Sequence, residues 1–173
     1  MTIEVNLTAE LFRRFTLFDT FTRRKMWRSP AIFAAILGAS GCICLLMHHV
    51  DGAVLLGCVL LLIGLGFPAS YFSNFSRSMQ KQIKTFGLDK PKKVYTLHLT
   101  KSSEGISVRN EKEHVDYKWE NVFHVYRDKK ATYLYMNAQR GFILPHADTD
   151  DNGEALWKLM EQMLPKQKLT VLK

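Results

Sequence analysis

The sequence predicts an α+β membrane protein: a two-helix transmembrane hairpin plus a small antiparallel β-barrel or sheet, capped by a C-terminal helix. Three observations carry this. Residues 30–72 contain no Lys or Arg and a single acid, Asp51. All 24 basic residues of the 173-residue chain lie outside that stretch, six before it and eighteen after. From Val94 the hydrophobic period changes from helical to alternating, and it returns to helical after Asp151. The mean hydropathy of −0.10 and the 47% apolar content therefore average an apolar segment with a strongly polar remainder. A single soluble globule, a disordered chain, a collagen-like repeat and a disulfide-framed secreted scaffold are all excluded.

In chain order, residues 1–8 open with Ile3, Val5 and Leu7 alternating with Thr2, Glu4 and Asn6, as in a half-buried strand. A hairpin returns the chain to the side it started from. This strand is therefore expected to join the C-terminal β-domain and cover one of its edges. Thr8 is placed to cap a helix over residues 9–29. Leu11, Phe12, Phe15, Leu17, Phe18 and Phe21 alternate there with Arg13, Arg14, Arg23, Arg24 and Lys25. Such an amphipathic juxtamembrane helix lies at the headgroup level or packs on the β-domain, and amphipathicity does not choose between them.

The hairpin occupies residues 30–72, with spans at 31–50 and 52–72. The uninterrupted run 31–47 covers roughly 26 Å and 52–72 roughly 32 Å, against a hydrocarbon core of about 30 Å. Only His48, His49, Val50 and Asp51 separate the two runs, so the helices must be antiparallel neighbours. A chain of this size cannot bury two uncharged helices on all sides, which argues against core helices. A second apolar run follows at once, which argues against a cleaved signal peptide. Ser29-Pro30 suits the first helix start. Ala34, Gly38 and Cys42, like Ala53 and Gly57, recur at the spacing that lets helices approach closely. Packing of the hairpin on itself is favoured, and a homodimer through these small residues is the alternative. Pro68 is expected to kink the second span.

Basic residues flank both outer ends of the spans and none lies in the loop between them, which places both termini in the cytoplasm. Residues 73–93 form a basic helix and linker. Six basic residues against one acid, Asp89, leave a net +5 there. Near an anionic leaflet each cation contributes about 1 kcal/mol. The residues expected to contact anionic phospholipid headgroups are Arg23, Arg24, Lys25, Arg28, Lys90, Lys92 and Lys93. No recognition motif accompanies the charge, so no nucleic acid partner is expected.

Residues 94–165 form the β-domain. Tyr95, Leu97 and Leu99 share one strand face. Further runs are Ile106–Val108, Val115–Trp119, Val122–Arg127, Ala131–Asn137 and Gly141–Pro145, spaced as in a meander. Asp151 with Glu154 resembles a capping box, and Leu156, Leu159, Met160 and Met163 supply the helix with an apolar face. Pro165 ends it, and 166–173 read as a tail.

Tyr117-Lys118-Trp119-Glu120-Asn121-Val122, then Gly141-Phe142-Ile143-Leu144-Pro145 and a terminal helix, all behind paired spans, resemble the YcxB-like family of bacterial membrane proteins over nearly the whole chain. The order of strands and one capping helix is similar to pleckstrin-homology-like barrels. His146-Ala147-Asp148 stands where the family is expected to carry a basic residue and an aromatic, so a role for that basic residue would be missing here. The resemblance brings no catalytic residues with it and implies an architecture.

Candidate chemistry is sparse. Cys42, Cys44 and Cys58 all lie in the spans without redox spacing. His48, His49 and Asp51 are adjacent ligands on one short turn, a poor closed metal site. His98, His114, His124 and His146 lack metal-ligand spacing, Ser102-Ser103 has no assigned base, and Asp148, Asp150 and Asp151 suit a loop and helix start. Trp119 reads as a core anchor. Tyr126, Tyr133 and Tyr135 line a partner groove or fill the barrel. No catalytic residue, cofactor or metal is expected. The expected protein is multi-pass in the bacterial cytoplasmic (inner) membrane, a non-enzymatic adaptor or sensor with a protein partner still to be identified. A small accessory subunit of a membrane enzyme or transporter complex is the alternative.

Overall fold

The computed structural model describes all residues except 48, 103, 104, 111, 112, 150, 152 and 173. The chain divides into two compact units, one made of Met1–Phe15 with Phe86–Lys173 and the other of Thr16–Thr85. The fold is α+β, with two long apolar helices and two small, mostly antiparallel sheets.

In the first unit, β1 (Thr2–Leu7), β2 (Lys92–Leu99), β3 (Ile106–Arg109) and β4 (His114–Tyr117) form one antiparallel sheet in that order. Register aligns Ile3, Leu97, Val108 and Val115 in one cross-strand row. The period-2 pattern thus sends every apolar residue of that row to one face. A register shift between Val5 and Asn6 lets Leu7 pair with Lys92 while its side chain stays buried. The second sheet runs β7 (Gly141–Pro145), β6 (Ala131–Tyr135), β5 (His124–Arg127), β8 (Leu169–Val171). Val125, Leu134 and Phe142 form its core row.

Two features of the strands depart from the sequence expectation. The strands do not make one continuous meander. A 3-10 turn at Trp119–Asn121 separates β4 from β5, because Trp119 turns inward as a core residue there. The stretch expected as a tail also carries structure over its described residues 166–172: β8 lies parallel to β5, and Leu172 N–H donates to Arg127 O at 2.8 Å. Three residues of alternation are too few to announce a strand; pairing with a distant segment creates it.

Helix α1 (Ala9–Leu17) is capped by Thr8, whose Oγ1 accepts from Leu11 N–H at 3.3 Å. Helices α2 (Arg28–Leu46) and α3 (Ala53–Phe86) follow, and α4 (Glu154–Met163) packs Leu156, Leu159 and Met160 into the core shared by both sheets. The expected start of α4 at Asp151 moves to Glu154. Gly153 precedes it at φ +83°, and a side chain there would meet the His146 ring at 2.6 Å. The Asp151 carboxylate still caps the helix by accepting from Ala155 N–H.

In the second unit, the helix expected over 9–29 is interrupted. A π-helical turn spans Phe18–Arg23, and Lys25 sits at φ 52°. The cause lies in Asp19, whose carbonyl takes Arg24 N–H at 2.9 Å, the i to i+5 bond of a π-turn. Its carboxylate meanwhile binds Arg23 Nε at 2.6 Å and Arg24 Nε at 2.8 Å. Helix α2 starts at Arg28, one residue before the expected Ser29 cap, and Pro30 falls in the first turn, where its missing N–H is unused.

Both α2 and α3 are long and apolar enough to cross a membrane, with mean hydropathies of 2.0 and 2.3 over their apolar windows. At 34 residues, α3 runs about 50 Å and carries Pro68 inside it. The basic residues Arg77, Lys81 and Lys84 lie on the continuation of α3, which runs unbroken to Phe86. Where α2 meets α3, a Cβ on Gly57 would lie 2.9 Å from Gly41 O, and one on Gly64 would lie 3.2 Å from Leu37 Cβ. Gly38 faces open space. A Cβ on Gly64 would also lie 3.6 Å from Ala34 O and from Gly38 N, so the close approach sets Gly57 and Gly64 against Gly41 and the backbone at positions 34 and 38.

Candidate functional site

Helix α1 begins on the outer face of the second sheet. Phe15 packs edge-on against Tyr133 at 5.3 Å and stacks on Tyr135 at 5.9 Å. Ion pairs tie the same segment to the β5–β6 turn: Arg14 to Asp128 at 3.1 Å and Glu10 to Lys130 at 2.7 Å. Lys130 and its hydrogen bond hold the Glu10 carboxyl below its ordinary range. Tyr133 Oη donates to Asp128 at 3.2 Å, and burial followed by the Asp128 charge pushes its phenol upward.

This packing corrects the tyrosine groove. Tyr133 and Tyr135 are each 1% exposed, because Phe15 and the sheet cover them. Only Tyr126 is half-buried; its ring lies 4.4 Å from His124 and 5.7 Å from Tyr135.

Beside α1 the same unit opens into a groove of about 510 Å³. Leu7, Phe12, Phe15, Phe86, Leu88 and Ile143 supply apolar lining, with Lys92 and Lys93 as its charged residues. Phe12 meets Phe86 edge-on at 6.0 Å. One wall is fixed by Tyr95, whose hydroxyl donates to Ile143 O and accepts from Ile143 N–H, both at 2.7 Å. A β2 side chain thereby satisfies the edge of β7, and burial raises the Tyr95 phenol well above its usual range.

The cations expected at headgroups fall into two groups. Arg23 and Arg24 converge on Asp19, and Lys25 and Arg28 are exposed. In the other unit Lys90 is exposed, Lys92 Nζ donates to Phe86 O at 3.3 Å, and Lys93 pairs with Glu4 at 2.7 Å. Sequence reasoning flagged the two groove lysines and missed the floor, which four separate segments supply. The sequence signal available was the surplus of apolar residues (Phe86, Leu88) at the end of a basic helix.

His146 is buried; its ring Nε2 lies 3.0 Å from Thr132 Oγ1, and its backbone N–H donates to Lys130 O at 2.9 Å. Neighbouring Asp148 accepts from Asn6 N–H at 2.8 Å, tying β1 to this turn. His124 Nε2 lies 2.9 Å from Thr170 Oγ1, anchoring β8. Burial holds both imidazoles below their ordinary pKa of 6.5. In the unfolded chain they gain a proton near that value, whereas the folded rings stay neutral. Their contribution to stability is therefore complete above about pH 6.5 and is lost as pH falls towards the folded pKa. The thermal midpoint is expected to drop between pH 7 and pH 5, with a shallower drop in His146→Gln. Equal slopes in the two proteins would remove His146 from the account.

Of the other residues singled out, His48, Ser103 and Asp150 lie outside the described residues, and the three cysteines are free thiols. Trp119 is a core anchor whose Nε1 donates to Thr100 O at 2.9 Å. No curated protein and no solved structure matches the chain. Residues 102–160 match the family model described as YcxB-like protein, a shorter stretch than the resemblance read along the sequence, running from the turn before β3 into α4.

Proposed function

With residues 102–160 a YcxB-like segment, we propose that this chain is a multi-pass protein of the bacterial inner membrane that presents a pleckstrin-homology-like domain to the cytoplasm as a non-enzymatic adaptor or sensor. One observation carries the proposal: α2 and α3 hold no Lys or Arg across their apolar stretches, and only 11% of each apolar window is buried. Water would not tolerate that much exposed hydrocarbon, whereas a bilayer would. Basic residues at both outer ends and none in the intervening turn support an N-in, C-in hairpin. Two small sheets closed by one C-terminal helix support the pleckstrin-homology-like description. Tethering at a surface raises the domain's effective concentration there, so a weak partner site suffices.

Lys25, Arg28 and Lys90, all exposed, are the cations proposed to lead in binding anionic phospholipid headgroups. The test is purification of the full chain in mild detergent, with lipid and protein analysis of what accompanies it. Anionic phospholipid is expected to be enriched over zwitterionic lipid. Each Ala substitution at these three positions is expected to weaken the enrichment by about 1 kcal/mol, or about fivefold, at low salt. Equal retention of both lipid classes removes headgroup binding. A stoichiometric multi-span protein instead favours an accessory subunit, and a tag on either terminus reachable from outside intact cells overturns the orientation.

A further inference from the structure

The groove beside α1 has a volume of about 510 Å³, within the range of roughly 300–1,000 Å³ typical of small-molecule sites. We propose that it binds a long-chain fatty acid, with the hydrocarbon chain on the apolar floor and the carboxylate at Lys92 and Lys93. The proposal stands on this groove and does not depend on the membrane assignment.

Three observations select this occupant. Phe12, Phe15, Phe86, Leu88 and Ile143 present hydrocarbon along the floor, where each buried methylene raises affinity about fourfold. The Tyr95 hydroxyl in the wall is already taken twice by the Ile143 backbone, so it offers little to a sugar or a base. Among the described lining residues both charges are cationic, which complements an anionic end. Lys93 already holds a carboxylate, that of Glu4 at 2.7 Å, in a pair exposed enough to exchange for another. Lys92 gives one of its three N–H groups to Phe86 O and keeps the others for a ligand.

The test uses the full chain in nanodiscs of zwitterionic phospholipid. The probe is a long-chain fatty acid carrying a mid-chain diazirine and a terminal alkyne, with its adducts mapped by mass spectrometry. Adducts are expected around Phe12, Leu88 and Ile143, displaced by unlabelled oleic acid and not by the matching fatty alcohol. Val94 lines the groove and is exposed, so Val94→Trp should obstruct it without disturbing the core and lower labelling at least fivefold. The double variant Lys92→Gln, Lys93→Gln should lower labelling about tenfold with an unchanged thermal midpoint. Adducts confined to α2 and α3, or groove labelling untouched by Val94→Trp, overturn the proposal. Equal competition by the alcohol overturns it as well. Protection of Lys92 and Lys93 from acetylation that depends on protein concentration and ignores fatty acid overturns it in favour of a second copy of the chain.

Discussion

Gly105→Ala is expected to lower the stability of the β-unit by about 2–4 kcal/mol, from overpacking combined with a lost buried hydrogen bond. Gly105 is buried, and a Cβ there would lie 2.2 Å from Thr100 O, 2.4 Å from Trp119 Nε1 and 2.7 Å from Ser102 O. Two of these atoms are backbone, and the third belongs to a tryptophan packed in the main core. No flexible side-chain end can yield. The indole also donates to Thr100 O at 2.9 Å, and Thr100 N–H donates to Gly105 O at 2.7 Å. A methyl group therefore forces apart the bond that seats Trp119. Denaturant unfolding of the full chain, followed by tryptophan fluorescence, measures the loss. Trp119→Phe keeps most of the bulk and removes only the bond, so it should cost about 1–3 kcal/mol. A Gly105→Ala protein as stable as the parent would show that the indole is not seated this way.

Gly57→Leu should separate the two long helices. Gly41 and Gly57 face each other so closely that a Cβ on either would lie within about 3 Å of the other's carbonyl oxygen. Side chains of any size at that crossing push the backbones apart, which weakens every contact along the hairpin, including Phe33 with Phe67 at 5.1 Å. The measurement is a cross-link. In a chain whose three native cysteines are replaced by Ser, Leu37→Cys and Gly64→Cys place two Cβ atoms about 3.2 Å apart, close to disulfide spacing. Oxidation should join them almost completely, and Gly57→Leu should lower the yield at least tenfold. Gly38→Leu is the control. It belongs to the small-residue series of the sequence but faces open space, so the yield should not change.

These positions show how far the sequence could be read. Gly57 was visible as part of a four-residue repeat; Gly41, its partner across the crossing, was outside the repeat that the spacing picked out. Trp119 was recognised as a core anchor, whereas Gly105 looked like any turn glycine, because the atoms that exclude a side chain come from Thr100, Ser102 and Trp119 together. The headgroup cations were visible as charge. Their separation was not: Arg23 and Arg24 meet Asp19 only once a π-turn places them side by side, Lys92 and Lys93 line the groove, and Lys25, Arg28 and Lys90 stay exposed. Tyr133 and Tyr135 alternate as groove residues would, and a helix more than a hundred positions earlier buries them.

Hydropathy, alternation and capping are local, so one chain read in order was enough for the two apolar helices, the alternating first strand and the apolar face of the last helix. The division into two sheets, the parallel β8 and the groove instead depend on contacts such as Asn6 with Asp148 and Tyr95 with Ile143, which join residues 142 and 48 positions apart. No local pattern encodes which distant edge a strand will meet. That choice is made when the core closes and each buried backbone group must find a partner.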